Sequence, residues 1–258
     1  MAEIIPIPAF ADNYIWMLRV GDVAAIVDPG DATPVIGYLE REVVVPCAIL
    51  ATHHHGDHVG GIPALLARWP VPVFGPAREK IPGRTQALSG GDSIFVPGID
   101  ATFDVIDVPG HTAGHVALFG EFDGGPVLFC GDTLFTGGCG RLFEGTPVQM
   151  WSSLSALAAL PPETRIYCGH EYTLANLRFA LAVEPDSMEV KARDALERAK
   201  RDRGEPTVPA TMDIERATNP FLRAHLPQVK AAAAAHAGHA LTDDIASFAA
   251  LREWKNQF

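Results

Sequence analysis

The run Thr52-His53-His54-His55-Gly56-Asp57-His58 places three imidazoles and a carboxylate in the pattern H-x-H-x-D-H. Packing alone does not call for that density of polar groups. Buried without partners, each would cost about 1–3 kcal/mol. Metal coordination makes the same groups favourable. The apolar stretch Val43–Ala51 precedes the run and reads as a buried strand. The donors are therefore expected on a loop at the carboxyl end of a strand, where sites of layered α/β folds lie.

A two-metal site needs further donors, and they recur with one grammar: a strand, a glycine, then His or Asp. Val108-Pro109-Gly110-His111 places His111 after one strand, Cys130-Gly131-Asp132 places Asp132 after another, and Cys168-Gly169-His170 places His170 after a third. Each glycine is expected to let the backbone turn sharply toward the sheet's end. Five histidines and two aspartates thus converge from four loops. That donor set suits a pair of zinc ions or related metals about 3.5–4 Å apart.

The elements that must position these donors are β-rich over the first two thirds of the chain. Strands are expected at 14–20, 23–28, 43–51, 71–74, 93–96, 102–108, 116–119, 127–130 and 165–168, with helices at 32–41, 60–69 and 154–160. This predicts a four-layer αββα sandwich. The composition changes after about residue 172. Helices at 173–183, 187–203, 228–236 and 243–257, around a loop at 204–209, predict a small helical domain. The expected division is 1–172 and 173–258.

The 258 residues carry a formal net charge of −11, which excludes a general basic footprint for nucleic acid or anionic lipid. No apolar run reaches the ~18 residues of a membrane helix, and the first residues lack the basic start of a signal peptide. Cys47, Cys130, Cys139 and Cys168 form no C-x-x-C pair and read as free, mostly buried thiols, which suits a reducing cytoplasm.

T-H-x-H-x-D-H, P-G-H-T-x-G-H, G-D-T-L-F and C-G-H-E-Y together resemble the metallo-β-lactamase superfamily. Within it the chain is similar over nearly its whole length to the glyoxalase II (hydroxyacylglutathione hydrolase) family. Asp12-Asn13-Tyr14, Gly138–Thr146, Gly169–Thr173, Glu205–Pro209, Thr218–Arg223 and Arg252–Lys255 carry that likeness. The resemblance implies that His53, His55 and His111 hold one metal, that Asp57, His58 and His170 hold the other, and that Asp132 bridges. It also implies that glutathione meets Arg141, Tyr172, Asn176, Arg252 and Lys255. Phe143 stands where some family members have Tyr, which removes a hydroxyl contact and leaves its backbone as the sixth expected contact to glutathione.

The implied reaction is hydrolysis of S-(2-hydroxyacyl)glutathione, preferentially S-D-lactoylglutathione, to glutathione and D-lactate, the second step of methylglyoxal detoxification. A metal-bridging hydroxide would attack the thioester, with Asp57 and Asp132 as its catalytic supports. The thiolate leaves with little proton assistance, and no G-x-S-x-G elbow is present. Arg252 and Lys255, three apart on a helix, share a face suited to carboxylates, and Tyr172 and Asn176, four apart, also share one. Zinc is the expected metal, with iron or manganese as alternatives; a monomeric, cytoplasmic enzyme without nucleic-acid or membrane partners is expected. The competing readings are a persulfide dioxygenase and another hydrolase of the same fold, such as a lactonase. His54 is expected to point away from the donors, His115 to be hydrogen-bonded in the core, and His225, His236 and His239 to be ordinary. Asp28 and Asn13 could brace the metal loop or cap turns.

Overall fold

A computed structural model describes residues 2–258. Its first sheet runs β1 (Ala2–Ala9), β2 (Asn13–Val20), β3 (Val23–Val27), β4 (Val45–Leu50), β5 (Val73–Pro76) and β6 (Gln86–Leu88) in spatial order. The second sheet uses β7 (Ser93–Val96), β8 (Ala101–Asp107), β9 (Val116–Phe122) and β10 (Gly125–Gly131). A ribbon of β11 (Leu134–Phe135) and β12 (Gly138–Cys139) intervenes before β13 (Arg165–Cys168) and β14 (Ala210–Thr211) complete that sheet, in the order β14-β13-β10-β9-β8-β7.

Alternation along β2 shows how the layers form. Tyr14, Trp16 and Leu18 enter the core between the sheets, while Ile15 and Met17 face the outer helices. A strand buried on both faces reads as a continuous apolar run. Helices α1 (Ala32–Glu42) and α3 (Ile62–Arg68) cover the outer face of the first sheet, with the four-residue α2 (Gly56–Val59) between them in the chain. Helix α4 (Pro147–Ala158) packs through Met150, Leu154 and Leu157 on the core shared with the second sheet. Trp16 Nε1 donates to the Cys168 carbonyl at 2.9 Å and joins the sheets. This is the expected αββα sandwich.

Five helices follow: α5 (Thr173–Val183), α6 (Met188–Asp202), α7 (Met212–Thr218), α8 (Pro227–Ala237) and α9 (Asp244–Gln257). No helix among the described residues is long and apolar enough to cross a membrane.

Several boundaries differ from expectation for physical reasons. Val43 does not begin the histidine-loop strand. It closes α1 in the left-handed region (φ 55°), with its N–H on the Leu39 carbonyl, so β4 starts at Val45. Helix α4 starts seven residues before the expected Leu154, because Thr146 and Gln149 form a capping box with Pro147 at the first turn. Strand β1 was not expected, since it holds two prolines. It is an edge strand, and Pro6 and Pro8, two apart, share the side that faces away from β2. The short α7, β6, β11, β12 and β14 also lay outside expectation.

Topology then sets the site. Strands β8 and β10 each pair antiparallel with β9, and β10 pairs parallel with β13. All three therefore point the same way, and their carboxyl ends share one edge of the sandwich. Residues 111, 132 and 170 follow those ends.

Candidate metal centre

His53 and His55 come from the loop after β4, and His111 from the loop after β8. One nitrogen from each ring closes into one group, with His53 Nε2 3.2 Å and His111 Nε2 3.0 Å from His55 Nδ1. Asp57, His58 and His170 close into a second group, in which Asp57 Oδ2 lies 3.6 Å from His58 Nε2 and 3.4 Å from His170 Nε2. Asp132 lies between the groups. Its Oδ2 is 3.4 Å from both His111 Nε2 and His170 Nε2, and its Oδ1 is 3.3 Å from His58 Nε2. All seven expected donors thus meet in one place.

Two of the atoms at the junction, His58 Nε2 and Asp132 Oδ1, are buried and have no hydrogen-bond partner. Buried polar atoms of native proteins are normally satisfied. A cation between these atoms would satisfy both, so the residues present fit a pair of metal ions.

The far nitrogens of His58, His170 and His111 are held by partners, an arrangement common among histidines that ligate metals. His58 Nδ1 lies 3.0 Å from Asp28 Oδ2, His170 Nδ1 2.8 Å from Asp12 Oδ1, and His111 Nδ1 2.9 Å from the Arg141 carbonyl. Asp28 also accepts from the backbone N–H and hydroxyl of Thr52, and it adopts φ 52° to do so. Strained backbone of this kind concentrates at functional sites. Asn13 Nδ2 donates to Asp57 Oδ2 at 3.0 Å. Asp28 and Asn13 therefore brace the donors. Buried His115 accepts the Asp132 N–H at its Nε2, 3.2 Å away, and stacks on His53. His54 turns its ring nitrogens to Glu79 and Glu144, away from the cluster. Asp12 was not singled out for this contact: it meets His170 across 158 residues, and no local spacing signals that.

The glycines play two different parts. Gly110 (φ 154°) and Gly131 (φ 45°) supply the turns expected of them. Gly169 has no such φ. It is there because a Cβ would stand 2.5 Å from His58 Cε1 and 2.7 Å from Asp132 Oδ1.

Electrostatics divide the cluster. Burial and neighbouring imidazoles hold His53, His55 and His111 below the usual histidine range, so their lone pairs are free at neutral pH. Against burial, Asp132, Asp57 and Asp12 push His170 up to about 10, and Asp132 and Asp28 push His58 up. The His170 hydrogen bond holds Asp57 below the carboxylate range; His58 and His170 do the same for Asp132 against burial. The carboxylates Asp57 and Asp132 therefore favour positive charge at the second group.

A cleft of about 480 Å³ opens from His111 and Asp132, and all six expected substrate contacts line it: Arg141, Phe143, Tyr172, Asn176, Arg252 and Lys255. Their states differ. Arg252 is buried, donates to the Cys139 carbonyl at 2.8 Å and lies over the Phe221 ring. Asn176 spends its Nδ2 on the Thr136 carbonyl. Tyr172 stacks flat on His170, with centroids 4.6 Å apart, and burial and nearby carboxylates push its hydroxyl up to about 12. Phe143 is 64% exposed and sets its ring against His55 and His111. Its N–H is donated to the His111 carbonyl at 3.2 Å, so the backbone donor is used internally.

Comparison with known proteins names this arrangement. A model of the metallo-β-lactamase superfamily matches residues 10–170, and one described as the hydroxyacylglutathione hydrolase C-terminus matches 171–258. The hydroxyacylglutathione hydrolase of Alkalilimnicola ehrlichii is 59% identical, covering 100% of both chains. The chain belongs to the hydroxyacylglutathione hydrolase family. The member from Nitrosomonas eutropha is 49% identical, again over 100% of both chains. A solved structure titled TTHA1623 in a di-iron-bound form is 26% identical with a TM-score of 0.59, covering 84% of this chain and 100% of that one. The match over 171–258 disfavours the persulfide dioxygenase and lactonase readings, because it falls on the helices that a hydroxyacylglutathione hydrolase adds to the shared metal fold.

Proposed function

We propose that this chain hydrolyses S-(2-hydroxyacyl)glutathione, with S-D-lactoylglutathione preferred, to glutathione and the hydroxy acid, as the second step of methylglyoxal detoxification. One observation carries the reading: the seven-donor cluster opens directly onto a cleft whose three cations, Arg141, Arg252 and Lys255, have no carboxylate partner among the described residues. Unpaired cations in a half-buried cleft favour an anionic ligand. Glutathione brings two carboxylates.

In this reading His53, His55 and His111 hold one metal, Asp57, His58 and His170 the other, and Asp132 lies between them. Zinc is proposed, with iron or manganese as alternatives; the relative with a di-iron form supports the class of site. When bound, such a pair supplies an acidified water and a polarised carbonyl. Asp57, fixed by Asn13, would be placed to accept a hydrogen bond from such a water and orient it. Arg252 and Lys255 hold the peptide carboxylates, with Arg141 at the cleft rim and Tyr172 and the free Oδ1 of Asn176 along its wall. The exposed Phe143 ring keeps water off the histidines beneath it. The departing thiolate needs no proton donor, because its conjugate thiol has a pKa near 8.5.

The division of labour is proposed to follow 1–172 for the metal donors and 173–258 for most of the glutathione grip. We further propose a monomer in the cytoplasm with neither nucleic acid nor membrane as partner, supported by the charge of −11 and three buried, free cysteines.

The test compares S-D-lactoylglutathione with a lactoyl thioester of a short neutral thiol. The reading requires kcat/KM at least about 100-fold higher for the glutathione thioester, as two lost charge-assisted contacts imply. Equal kcat/KM would remove glutathione as the recognised group.

A further inference from the structure

We propose that Glu79 is a positioning residue that, with His54 and Glu144, clamps together the two loops bearing His53, His55 and His111 and so sets how tightly the first metal is held. This rests on the reading of those three histidines as metal ligands.

Glu79 lies in the turn after β5, and its side chain is only 3% exposed. A buried carboxylate is costly unless its oxygens are matched. Its Oε1 accepts from the Thr112 hydroxyl and from the Gly114 N–H, the latter at 3.0 Å. Its Oε2 accepts no aligned hydrogen bond and faces the His54 ring, with Nδ1 at 3.0 Å. Glu144 repeats the arrangement from the other side. Its Oε2 accepts from the Ala113 N–H at 2.7 Å, and its Oε1 lies 3.5 Å from His54 Nε2.

The imidazole thus stands between two carboxylates, one at each nitrogen, and between them the carboxylates hold residues 112–114, Glu79 through Thr112 and Gly114 and Glu144 through Ala113. His54 separates His53 from His55, and residues 112–114 directly follow His111. The clamp ties the supports of all three nitrogens to one another without touching the ligating atoms. Gly114 fits the same account: a Cβ there would stand 2.7 Å from Glu79 Cγ, so the glycine admits the carboxylate. A site that only filled space would take an apolar side chain at 79.

Glu79→Gln tests this. The amide oxygen keeps the Thr112 and Gly114 donors, while the amide nitrogen takes the place of the anionic oxygen that faces His54 Nδ1. Wild type and variant are titrated with a chelator, and bound metal is counted. Two metals in the wild type report the premise separately. The clamp predicts that Glu79→Gln loses one metal at a chelator concentration at least about tenfold lower. It also predicts unchanged KM, kcat restored by added metal, and a metal-free Tm within about 2 °C of metal-free wild type. His54→Ala should behave alike, and the double variant no worse than either single. Retention of both metals at the wild-type chelator concentration, additive effects of the two substitutions, or a third wild-type metal lost in Glu79→Gln would each overturn it. A wild type that binds no metal overturns this inference together with the reading beneath it.

Discussion

Arg252 donates to the Cys139 carbonyl at 2.8 Å, which fastens the last helix to the ribbon leading into Arg141. The contact spans 113 residues and makes one cleft wall from both ends of the site. It also gives Arg252 two jobs, since the guanidinium is buried over Phe221 while it faces the cleft.

The two cations of α9 should therefore separate by experiment. Lys255→Ala is expected to raise KM for the thioester about tenfold, the worth of one charge-assisted contact, with kcat nearly unchanged. Arg252→Ala should raise KM at least as much and also lower Tm by several degrees, because a buried hydrogen bond and a ring contact are lost. Steady-state kinetics with thermal melts reads both. A fall in kcat at constant KM would argue against a binding role.

Lys255 predicts a pH dependence. Burial, with Arg252, Arg178 and Arg141 nearby, lowers its ammonium from the usual lysine value to about 8. The charged form that grips a carboxylate is present below that pH and lost above it. KM should therefore rise as pH passes through about 8, and kcat/KM should fall. In Lys255→Met this limb should vanish while KM stays uniformly high. A wild-type KM that is flat from pH 7 to 9.5 would contradict the assignment.

Asp57 is held by Asn13 and faces both His58 and His170. Asp57→Asn should lower metal content from two toward one per chain and cut kcat by about 10²–10³, the several kcal/mol of charge stabilisation at stake. Asn13→Ala, which frees the carboxylate without removing it, should cost less, about tenfold in kcat. Full metal content with near-normal turnover in Asp57→Asn would dismiss its part.

Metal removal should destabilise the fold. His58 Nε2 and Asp132 Oδ1 are buried without hydrogen bonds, so a bound cation stabilises only the native state. At metal about 100-fold above its Kd the gain is about 2.7 kcal/mol, or roughly 5–10 °C in Tm. Calorimetry with and without chelator measures it. An unchanged Tm would mean that the cluster is satisfied by other means.

How far the sequence reached depended on the range of each contact. The candidate donors were legible because the H-x-H-x-D-H run and the three glycine-punctuated strand ends are local patterns, and β8, β10 and β13, which point the same way, deliver His111, Asp132 and His170 to one edge. The long apolar run of β2 was legible because both of its faces are buried. Asp12 on His170, Glu79 on Thr112 and Gly114, and the Arg252–Cys139 bond were not, since each joins residues far apart in the chain. Strand β1 hid behind prolines that only an edge position tolerates, and α4 began early on a capping box set before its apolar face. The glycine at 169 was noticed for the wrong reason: it makes room for His58 and Asp132 and does not turn the chain.

A binuclear thioester hydrolase for glutathione conjugates is tested most directly by the hydrolysis of S-D-lactoylglutathione by the purified chain, followed through the thioester absorbance, with metal content determined on the same sample. Rapid turnover is expected at about two metals per chain, lost on chelation and restored by added metal. Absence of thioester hydrolysis by a chain carrying two metals, or full turnover after both are removed, would contradict it.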